Sequence, residues 1–423
     1  MPPTPPQTAK DKLVRFLRAT EKYTKTDMVY LASGGFWSVV GQVSASVIAL
    51  ALAVVIARYV PKDAYGSYKY VLAVVSILGT FSLSGIGTAV FQSIARGYRS
   101  ALDDGFRANL RWSLFVFLGA LGGGAYYLFH GNYVFGVGIL LGGCITPLLS
   151  GFNLYSAAYT GEKDFRSAAW YGGFVTNIVP ALALGAVAYF APKPLFLIAA
   201  YFVGNAVAAA FAYYRARQKF PDQEKRHDPG MLTYGKHLSV MGILNGISGN
   251  IDQVLLFHFV GPVQLAIYNF ATAIPDQTKG PIKMLSTMIQ ARFVSRPVEE
   301  IEAGMGNKML LLLVSAALFV IVYTLTAPFI FKLLFPNYVD SVFFSQIYAF
   351  SLLGLFATPA GSLFVAKKMV REQYVATILF SIAQIFALSV GVIFWGLLGL
   401  VISRVMMRMF SGALTLYLYK AGR

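Results

Sequence analysis

Four cationic side chains fall inside long apolar segments of this chain and are the first candidates for chemistry. Arg404 and Arg408 stand four residues apart in one segment, and Lys279 and Lys283 have the same spacing in another. A charge in the hydrocarbon of a membrane costs roughly 2.5–3.5 kcal/mol on insertion scales, so such residues usually face a cavity or a partner. Like charges at this helical spacing also repel each other. We therefore expect an anionic group, from the protein or from a substrate, beside each pair.

Arg408 is our first candidate for contact with an anionic substrate, followed by Arg404 and then Lys279. Arg408 lies near the middle of its segment, whereas Lys283 is close enough to one end to reach the membrane surface. One close ion pair contributes on the order of 4 kcal/mol at an effective dielectric constant of about 20. Two or three such contacts would hold a diphosphate within the membrane.

Polar side chains follow one face of several apolar segments. Asp252 shares a helix face with Asn245 and Ser248. The carboxylates of Asp252 and Asp276 could each neutralise part of the cationic charge. Two earlier rows have the same helical spacing: Thr80, Ser84, Thr88 and Gln92, then Ser38, Gln42 and Ser46. The rows predict a water-filled central cavity; the alternative is hydrogen bonding between helices in a dry bundle. The cavity candidates are Asp252, Asn245, Gln42, Ser84 and Thr88.

The sequence offers no recognisable catalytic or metal site. It lacks the glycine-rich phosphate loop of nucleotide hydrolases, its four histidines match no metal-ligand spacing, and Cys144 is its single cysteine. We therefore predict a protein that is not an enzyme and that needs no cofactor or metal. The net charge is +17, but most basic residues lie between apolar segments, so we expect no nucleic-acid partner.

The composition is that of a membrane protein, with 57% hydrophobic and 13% charged residues. A soluble protein carries about 25% charged residues, and one membrane crossing needs about 20 mostly apolar residues. Twelve segments meet that requirement: Leu31–Ala57, Tyr70–Ala95, Trp112–Phe129, Tyr133–Tyr155, Ala168–Phe190, Pro194–Tyr214, Leu238–Val260, Gln264–Ile289, Met309–Leu334, Val342–Ala366, Tyr374–Gly396 and Leu398–Tyr419. We predict an all-α integral membrane protein with about 12 transmembrane helices.

The basic residues give the expected orientation, because Lys and Arg accumulate in cytoplasmic loops. With the N-terminal tail placed inside, 26 of the 35 Lys and Arg residues fall on the inner side and 5 on the outer side. We therefore expect a multi-pass protein of the inner (plasma) membrane with both termini in the cytoplasm. Residues 1–29 form a cytoplasmic tail, in which the basic stretch Lys10–Lys25 fits an amphipathic helix on an anionic membrane surface or a frayed basic tail.

A long basic break divides the chain into two sets of six helices. The expected units are an N-terminal half at 30–214, a cytoplasmic linker at 215–237 and a C-terminal half at 238–423. A weak repeat at an offset of 200 residues places Tyr68 over Tyr268, each near the start of a helix. Six helices per half keep both halves in the same orientation, as in carriers that alternate access to a central cavity.

Short motifs then connect the chain with a known family. Tyr65–Tyr70 (YGSYKY) opens the second helix, and Val260–Pro262 (VGP) leads to Ile267–Ala271 (IYNFA) at the eighth. With the twelve helices in two halves, the chain resembles bacterial polysaccharide flippases. These are the O-antigen and exopolysaccharide repeat-unit translocases of the multidrug/oligosaccharidyl-lipid/polysaccharide exporter superfamily. The lipid II flippases of that superfamily usually have two more helices than this chain.

The resemblance implies a transporter that moves an undecaprenyl-diphosphate-linked oligosaccharide from the inner to the outer leaflet by alternating access. It also implies a cationic cavity, frequent coupling to an H⁺ or Na⁺ gradient, contact with membrane lipids, and a polysaccharide polymerase or ligase as partner machinery. Two alternatives stay open. One is a cation-coupled multidrug antiporter of the same superfamily, in which acidic cavity residues should dominate. The other is a membrane glycan polymerase or ligase, which usually needs a long outer loop.

Overall fold

The computed structural model describes residues 28–221, 226–278, 304–367 and 369–421, together with positions 280, 282, 286, 289, 290, 293, 300 and 301. Lys279, Lys283 and the N-terminal tail with its expected amphipathic helix lie outside the described residues. Within them every regular element is a helix. The elements are α1 (Met28–Tyr59), α2 (Lys62–Gly79), α3 (Ile86–Ala95), α4 (Ala101–Trp112), α5 (Leu114–Phe129), α6 (Tyr133–Phe152), α7 (Tyr155–Gly161), α8 (Phe165–Phe190), α9 (Pro194–Lys219), α10 (Met231–Phe259), α11 (Pro262–Asp276), α12 (Met305–Leu334), α13 (Ser341–Ala366) and α14 (Val370–Ala421).

The predicted helical membrane architecture is confirmed. In the described part of the chain, nine helical stretches are long and apolar enough to cross a membrane. One of them, Arg371–Lys420, is 50 residues long and folds back on itself at Gly396. Gly396 has φ 57°, in the left-handed region that favours glycine. Across this turn Gly391 packs against Ser403 and Gly399, so α14 supplies two crossings.

Several helix boundaries differ from the predicted ones. The second predicted crossing is interrupted between α2 and α3, where the Thr80 and Ser82 hydroxyls donate to the carbonyls of Ile77 and Gly79. Residues 101–111 were expected to lie in the loop between the second and third crossings, but together with Trp112 they form the amphipathic helix α4. The linker expected at 215–237 is shorter, because α9 continues to Lys219 and α10 begins at Met231. The length of an apolar segment thus predicts where a crossing lies. It does not predict where the helix ends, because helices continue into the polar residues on either side.

Each half is built by packing among its own helices. In the N-terminal half α6 contacts α2, α5 and α9, while α1 lies along α8. In the C-terminal half α14 packs against α10 and α13, and α13 also contacts α11 and α12. Close packing at small residues supports these contacts, since Gly41 and Gly173 bring the backbones of α1 and α8 together.

The halves meet at both ends of the bundle, and we call one of them the turn end and define it by residues 57–66, 260–270 and 333–340. Lys62 forms an ion pair with Asp340 at 2.8 Å, and the Asn337 amide donates to the Ala57 carbonyl. The rings of Tyr65 and Phe270 lie 5.2 Å apart. The largest apolar core cluster includes residues of both halves here.

The other end carries most of the basic loops, and we call it the basic end. Here the two halves meet along α3 and the first turns of α10. The Gly85 amide donates to Ser239 Oγ, and Arg96 pairs with Asp228 in the linker. The Ser93 hydroxyl donates to Asp228 and, with the positive charge of Arg96, holds the pKa of that carboxyl below its ordinary value. This contribution to stability is present at neutral pH and is lost as the pH falls through the lowered pKa.

Gly66→Ala tests the contact between α2 and α11. A Cβ atom at Gly66 would overlap the carbonyl group of Pro262, so we expect a loss of about 1–3 kcal/mol in stability and a lower melting temperature in detergent. Gly122→Ala in α5 is the matched control, because a Cβ atom there has no neighbour within 4 Å. The control should keep or raise the melting temperature, since alanine favours a helix by about 1 kcal/mol. Equal melting temperatures for the two variants would contradict this packing.

Candidate functional site

A buried ion pair links α10 to the second limb of α14. Asp252 Oδ2 lies 2.9 Å from Arg404, and it also accepts a 2.6 Å hydrogen bond from the Tyr268 hydroxyl of α11. The Asp252 side chain is 3% exposed and that of Arg404 is 14% exposed. Among the described residues, Asp252 Oδ1 and Arg404 Nε have no hydrogen-bond partner. The pair is thus enclosed by protein on three helices and keeps two unused polar atoms.

A second, more open ion pair lies one turn further along α14. Arg408 contacts Asp276 Oδ1 at 3.1 Å, and it donates to Ser351 Oγ and to the Tyr348 hydroxyl at 2.7 and 2.8 Å. The Tyr348 hydroxyl in turn donates to Asp276 at 3.0 Å. The side chains of Arg408 and Asp276 are 22% and 30% exposed. This pair is therefore more accessible than the Asp252–Arg404 pair.

The two ion pairs explain how neighbouring arginines are tolerated on α14. Each guanidinium has its own carboxylate, from α10 for Arg404 and from α11 for Arg408. The sequence indicated that Asp252 and Asp276 could compensate the arginines, and the structure shows which carboxylate meets which arginine. Lys279, the third predicted cation, lies outside the described residues.

The predicted polar row on α10 does not share one environment. Ser248 is buried, with its hydroxyl 3.4 Å from Ser381 Oγ, and its carbonyl accepts from Gln384 on the first limb of α14. Asn245, one turn earlier, is exposed. For Ser248 the structure therefore matches the alternative of hydrogen bonding between helices. Gln384 was missed by the sequence analysis, because a single amide in an apolar helix has no distinctive spacing.

Gln42 on α1 is exposed and lies beside the C-terminal half. Its amide is 3.3 Å from the Ser46 hydroxyl, one turn along the same helix. A Cβ atom at Gly280 would overlap the Gln42 amide, so the two residues are in contact across the halves. The Gln42–Ser46 hydrogen bond therefore lies within α1, and Gln42 also contacts Gly280, which follows α11 in the sequence.

An uncharged polar cavity of about 350 Å³ lies in the N-terminal half, between the start of α3 and the ends of α6 and α7. It is lined by Ser84, Gly87, Thr88, Phe91, Asn153, Ser156, Ala157 and Thr160, and we call it the hydroxyl cavity. Two predicted residues, Ser84 and Thr88, are exposed in it. Asn153 and Ser156 were missed, although Asn153, Ser156 and Thr160 repeat the spacing that marked Asn245, Ser248 and Asp252.

The predicted site residues thus fall into two groups. Ser84 and Thr88 belong to the N-terminal half, while Arg404, Arg408, Asp252 and Asn245 belong to the C-terminal half. Helix α10 runs beside both groups, since a Cβ atom at Gly242 would lie 3.3 Å from Ser84 Oγ. In the described residues no three His, Cys, Asp or Glu side chains are grouped as metal ligands. Contact of any of these residues with a substrate remains a prediction.

Comparison with known proteins places the chain in a family. A family model described as polysaccharide biosynthesis protein matches residues 31–276, more than half of the chain. The chain belongs to this family. The resemblance found from the short motifs is thereby confirmed. A comparison with curated proteins found no match.

Solved transporters of the MOP superfamily share the fold of this family member. An inward-facing multidrug resistance MATE transporter has a TM-score of 0.70 at 14% identity, covering 91% of this chain and 98% of its own. The lipid II flippase MurJ, in an inward closed conformation, has a TM-score of 0.67 at 10% identity, covering 90% and 87%. A MOP superfamily transporter from Pyrococcus furiosus has a TM-score of 0.66 at 14% identity, covering 93% and 95%. At these identities the likeness shows the fold alone, and it confirms the predicted fold class of a multi-pass bundle with two halves around a central cavity.

A double-mutant cycle tests the buried pair of Asp252 and Arg404. Asp252→Asn leaves the Arg404 charge without its partner, so we expect it to destabilise the protein by about 3–5 kcal/mol. Adding Arg404→Gln should recover part of that loss, because both charges are then removed. The control is Asp340→Asn in the exposed pair with Lys62, which should cost no more than about 1 kcal/mol. Additive losses in the cycle, measured as unfolding in detergent, would show that the two side chains are not coupled.

Proposed function

We propose that this protein flips a polyprenyl-diphosphate-linked oligosaccharide from the inner to the outer leaflet of the bacterial inner membrane, as part of surface polysaccharide biosynthesis. The observation that carries the proposal is the family match, since a polysaccharide biosynthesis family is joined here to the fold of alternating-access carriers. The likeness to a lipid II flippase supports a substrate of the lipid-linked sugar class. O-antigen and exopolysaccharide repeat units are the substrates of this kind that the sequence motifs suggest.

The physical task fits a bundle of this design. A diphosphate with several sugars cannot cross hydrocarbon unaided, because its charges and hydroxyls would lose their hydration. A path between two halves supplies polar contacts to the headgroup, while the apolar tail stays in the lipid. Each half has a group of polar side chains: the N-terminal half at the hydroxyl cavity and the C-terminal half around Arg408. A headgroup between the halves would thus have polar partners on two sides.

The halves contact each other at both ends in this conformation, so both sets of contacts must open in turn during a transport cycle. At the turn end, ion pairing, hydrogen bonds and aromatic packing join the N-terminal half to the C-terminal half. At the basic end, the Gly85 amide donates to Ser239 and Arg96 pairs with Asp228, while Ser84, Thr88 and Asn245 nearby are exposed. With the basic end in the cytoplasm, as its Lys and Arg residues predict, the headgroup enters from the side on which lipid-linked sugars are assembled.

Arg408 is the proposed diphosphate contact, and Arg404 the structural neighbour that holds α14 in place. A guanidinium presents a planar fork of donors that fits phosphate as well as carboxylate. Arg408 is accessible and shares Asp276 with Tyr348, so a diphosphate can replace the carboxylate. The displaced Asp276 would then need a cation, which gives H⁺ or Na⁺ a place in the cycle.

A multidrug antiporter is the second candidate, because a MATE transporter is among the similar structures. Its cationic substrates would require acidic groups free of internal partners. Here Asp252 and Asp276 both pair with arginines. A deletion strain separates the two functions: loss of surface polysaccharide with unchanged drug sensitivity supports the flippase, and drug sensitivity with normal polysaccharide supports the antiporter.

A membrane polymerase or ligase has less support, since the turn-end connections among the described residues are short.

Arg408→Gln is expected to lower the rate at which lipid-linked oligosaccharide reaches the outer leaflet by at least about tenfold, because a charge-assisted contact contributes roughly 1.5–3 kcal/mol. Arg408→Lys should keep part of the activity, since it retains the charge without the fork. Lys332→Gln is the control, an exposed cation near the turn end. The assay is transport in vesicles at matched protein levels. Wild-type flipping by Arg408→Gln would exclude Arg408 as the diphosphate contact.

A further inference from the structure

The hydroxyl cavity contains polar groups with unused hydrogen-bonding capacity. The side chains of Ser84, Thr88, Asn153 and Ser156 make no hydrogen bond to any described residue, and all four are exposed. Some serine and threonine hydroxyls elsewhere in the described helices bond to a backbone carbonyl of their own helix, as Thr326 does to Val322 at 2.8 Å. The cavity therefore brings four unbonded polar side chains from three parts of the N-terminal half together.

Unbonded polar groups on helices of a membrane bundle need water or a ligand. Ser84 and Thr88 follow the long apolar helix α2, and Asn153 ends the apolar helix α6, so all three lie beside spans and away from long loops. Lipid offers no hydrogen-bond partner, and each unsatisfied group there costs free energy. The cavity must accordingly open to a polar path, and its position beside Gly242 of α10 places that path between the halves.

The chemistry of the lining selects among ligands. The cavity contains hydroxyls, one amide and the ring of Phe91, and none of its lining residues is charged. A diphosphate favours cations and charge-assisted hydrogen bonds. Sugars instead present hydroxyls that both donate and accept, which matches Ser, Thr and Asn side chains. The apolar C–H face of a pyranose ring also packs well on an exposed aromatic ring such as Phe91.

We propose that the hydroxyl cavity binds the sugar portion of the substrate, while the Arg408 region of the other half binds the diphosphate. The inference rests on the proposed flippase function and adds a division of the headgroup between the two halves. Sugar hydroxyls bond to Ser84, Thr88, Asn153 and Ser156, and the diphosphate extends along α10 towards Arg408. Substrate binding then bridges the halves, so selectivity for the sugar resides in the N-terminal half.

The test is equilibrium binding of two probes to purified protein in detergent. One probe is bare undecaprenyl diphosphate, and the other is the lipid-linked oligosaccharide extracted from membranes of the source cells. The double variant Thr88→Val with Asn153→Ala should lower the affinity for the sugar-bearing probe by about tenfold, because it loses roughly two hydrogen bonds. Binding of the bare diphosphate should not change. Arg408→Gln should lower the affinity for both probes, because both carry the diphosphate.

Thr326→Val is the matched control for Thr88→Val, because Thr326 is an exposed helical threonine outside the cavity. It should leave the affinity for both probes unchanged. The sugar-site proposal is contradicted if the cavity variant binds the sugar-bearing probe with wild-type affinity, or if its affinity for both probes falls equally. Either result leaves the flippase proposal intact. If wild type binds neither probe, the proposed function fails and the sugar site fails with it.

Discussion

The pairing of charges inside the C-terminal half is the interaction on which the rest of the arrangement depends. Two arginines four residues apart in an apolar helix repel each other unless each has an anion. Asp252 from α10 and Asp276 from α11 supply these anions, and Tyr268 and Tyr348 complete both contacts. Because removal of one partner would leave a charge in the bundle, α10, α11 and α14 are tied to a single arrangement.

That fixed half meets the N-terminal half at both ends of the bundle. At the turn end the contacts are specific, with Lys62 on Asp340 and Gly66 packed against Pro262. Towards the basic end the Gly85 amide donates to Ser239 and Arg96 pairs with Asp228, and the hydroxyl cavity leaves exposed polar groups beside α10. The exposed ion pair at the turn end contributes little stability of its own, which suits a contact that must open. Rigid halves joined by weak, separable contacts are what alternating access requires.

Sequence reasoning predicted the helices better than it predicted the site. Long apolar segments and the bias of Lys and Arg gave twelve crossings, because both follow from the cost of polar groups in lipid. The break between α2 and α3 was missed, since Ser and Thr caps occur there without proline. The pairing of Arg408 with Asp276 depends on which helix faces of α11 and α14 meet, and periodicity cannot give that. Asn153 and Ser156 had a recognisable spacing, but Asn153 stands near the end of the predicted crossing Tyr133–Tyr155 and Ser156 lies just beyond it, where a loop was expected.

A reversible cross-link between the halves at the turn end tests the central claim most directly. In a Cys144→Ala background, cysteines replace Lys62 and Asp340, whose side-chain ends touch at 2.8 Å, and a reducible bifunctional thiol reagent joins them across the length of the lost lysine side chain. The measurement is flipping of lipid-linked oligosaccharide in vesicles before and after cross-linking. We expect the cross-link to abolish flipping and reduction to restore it, because the turn end has to open. Full activity in the cross-linked protein would contradict a mechanism in which the halves separate there.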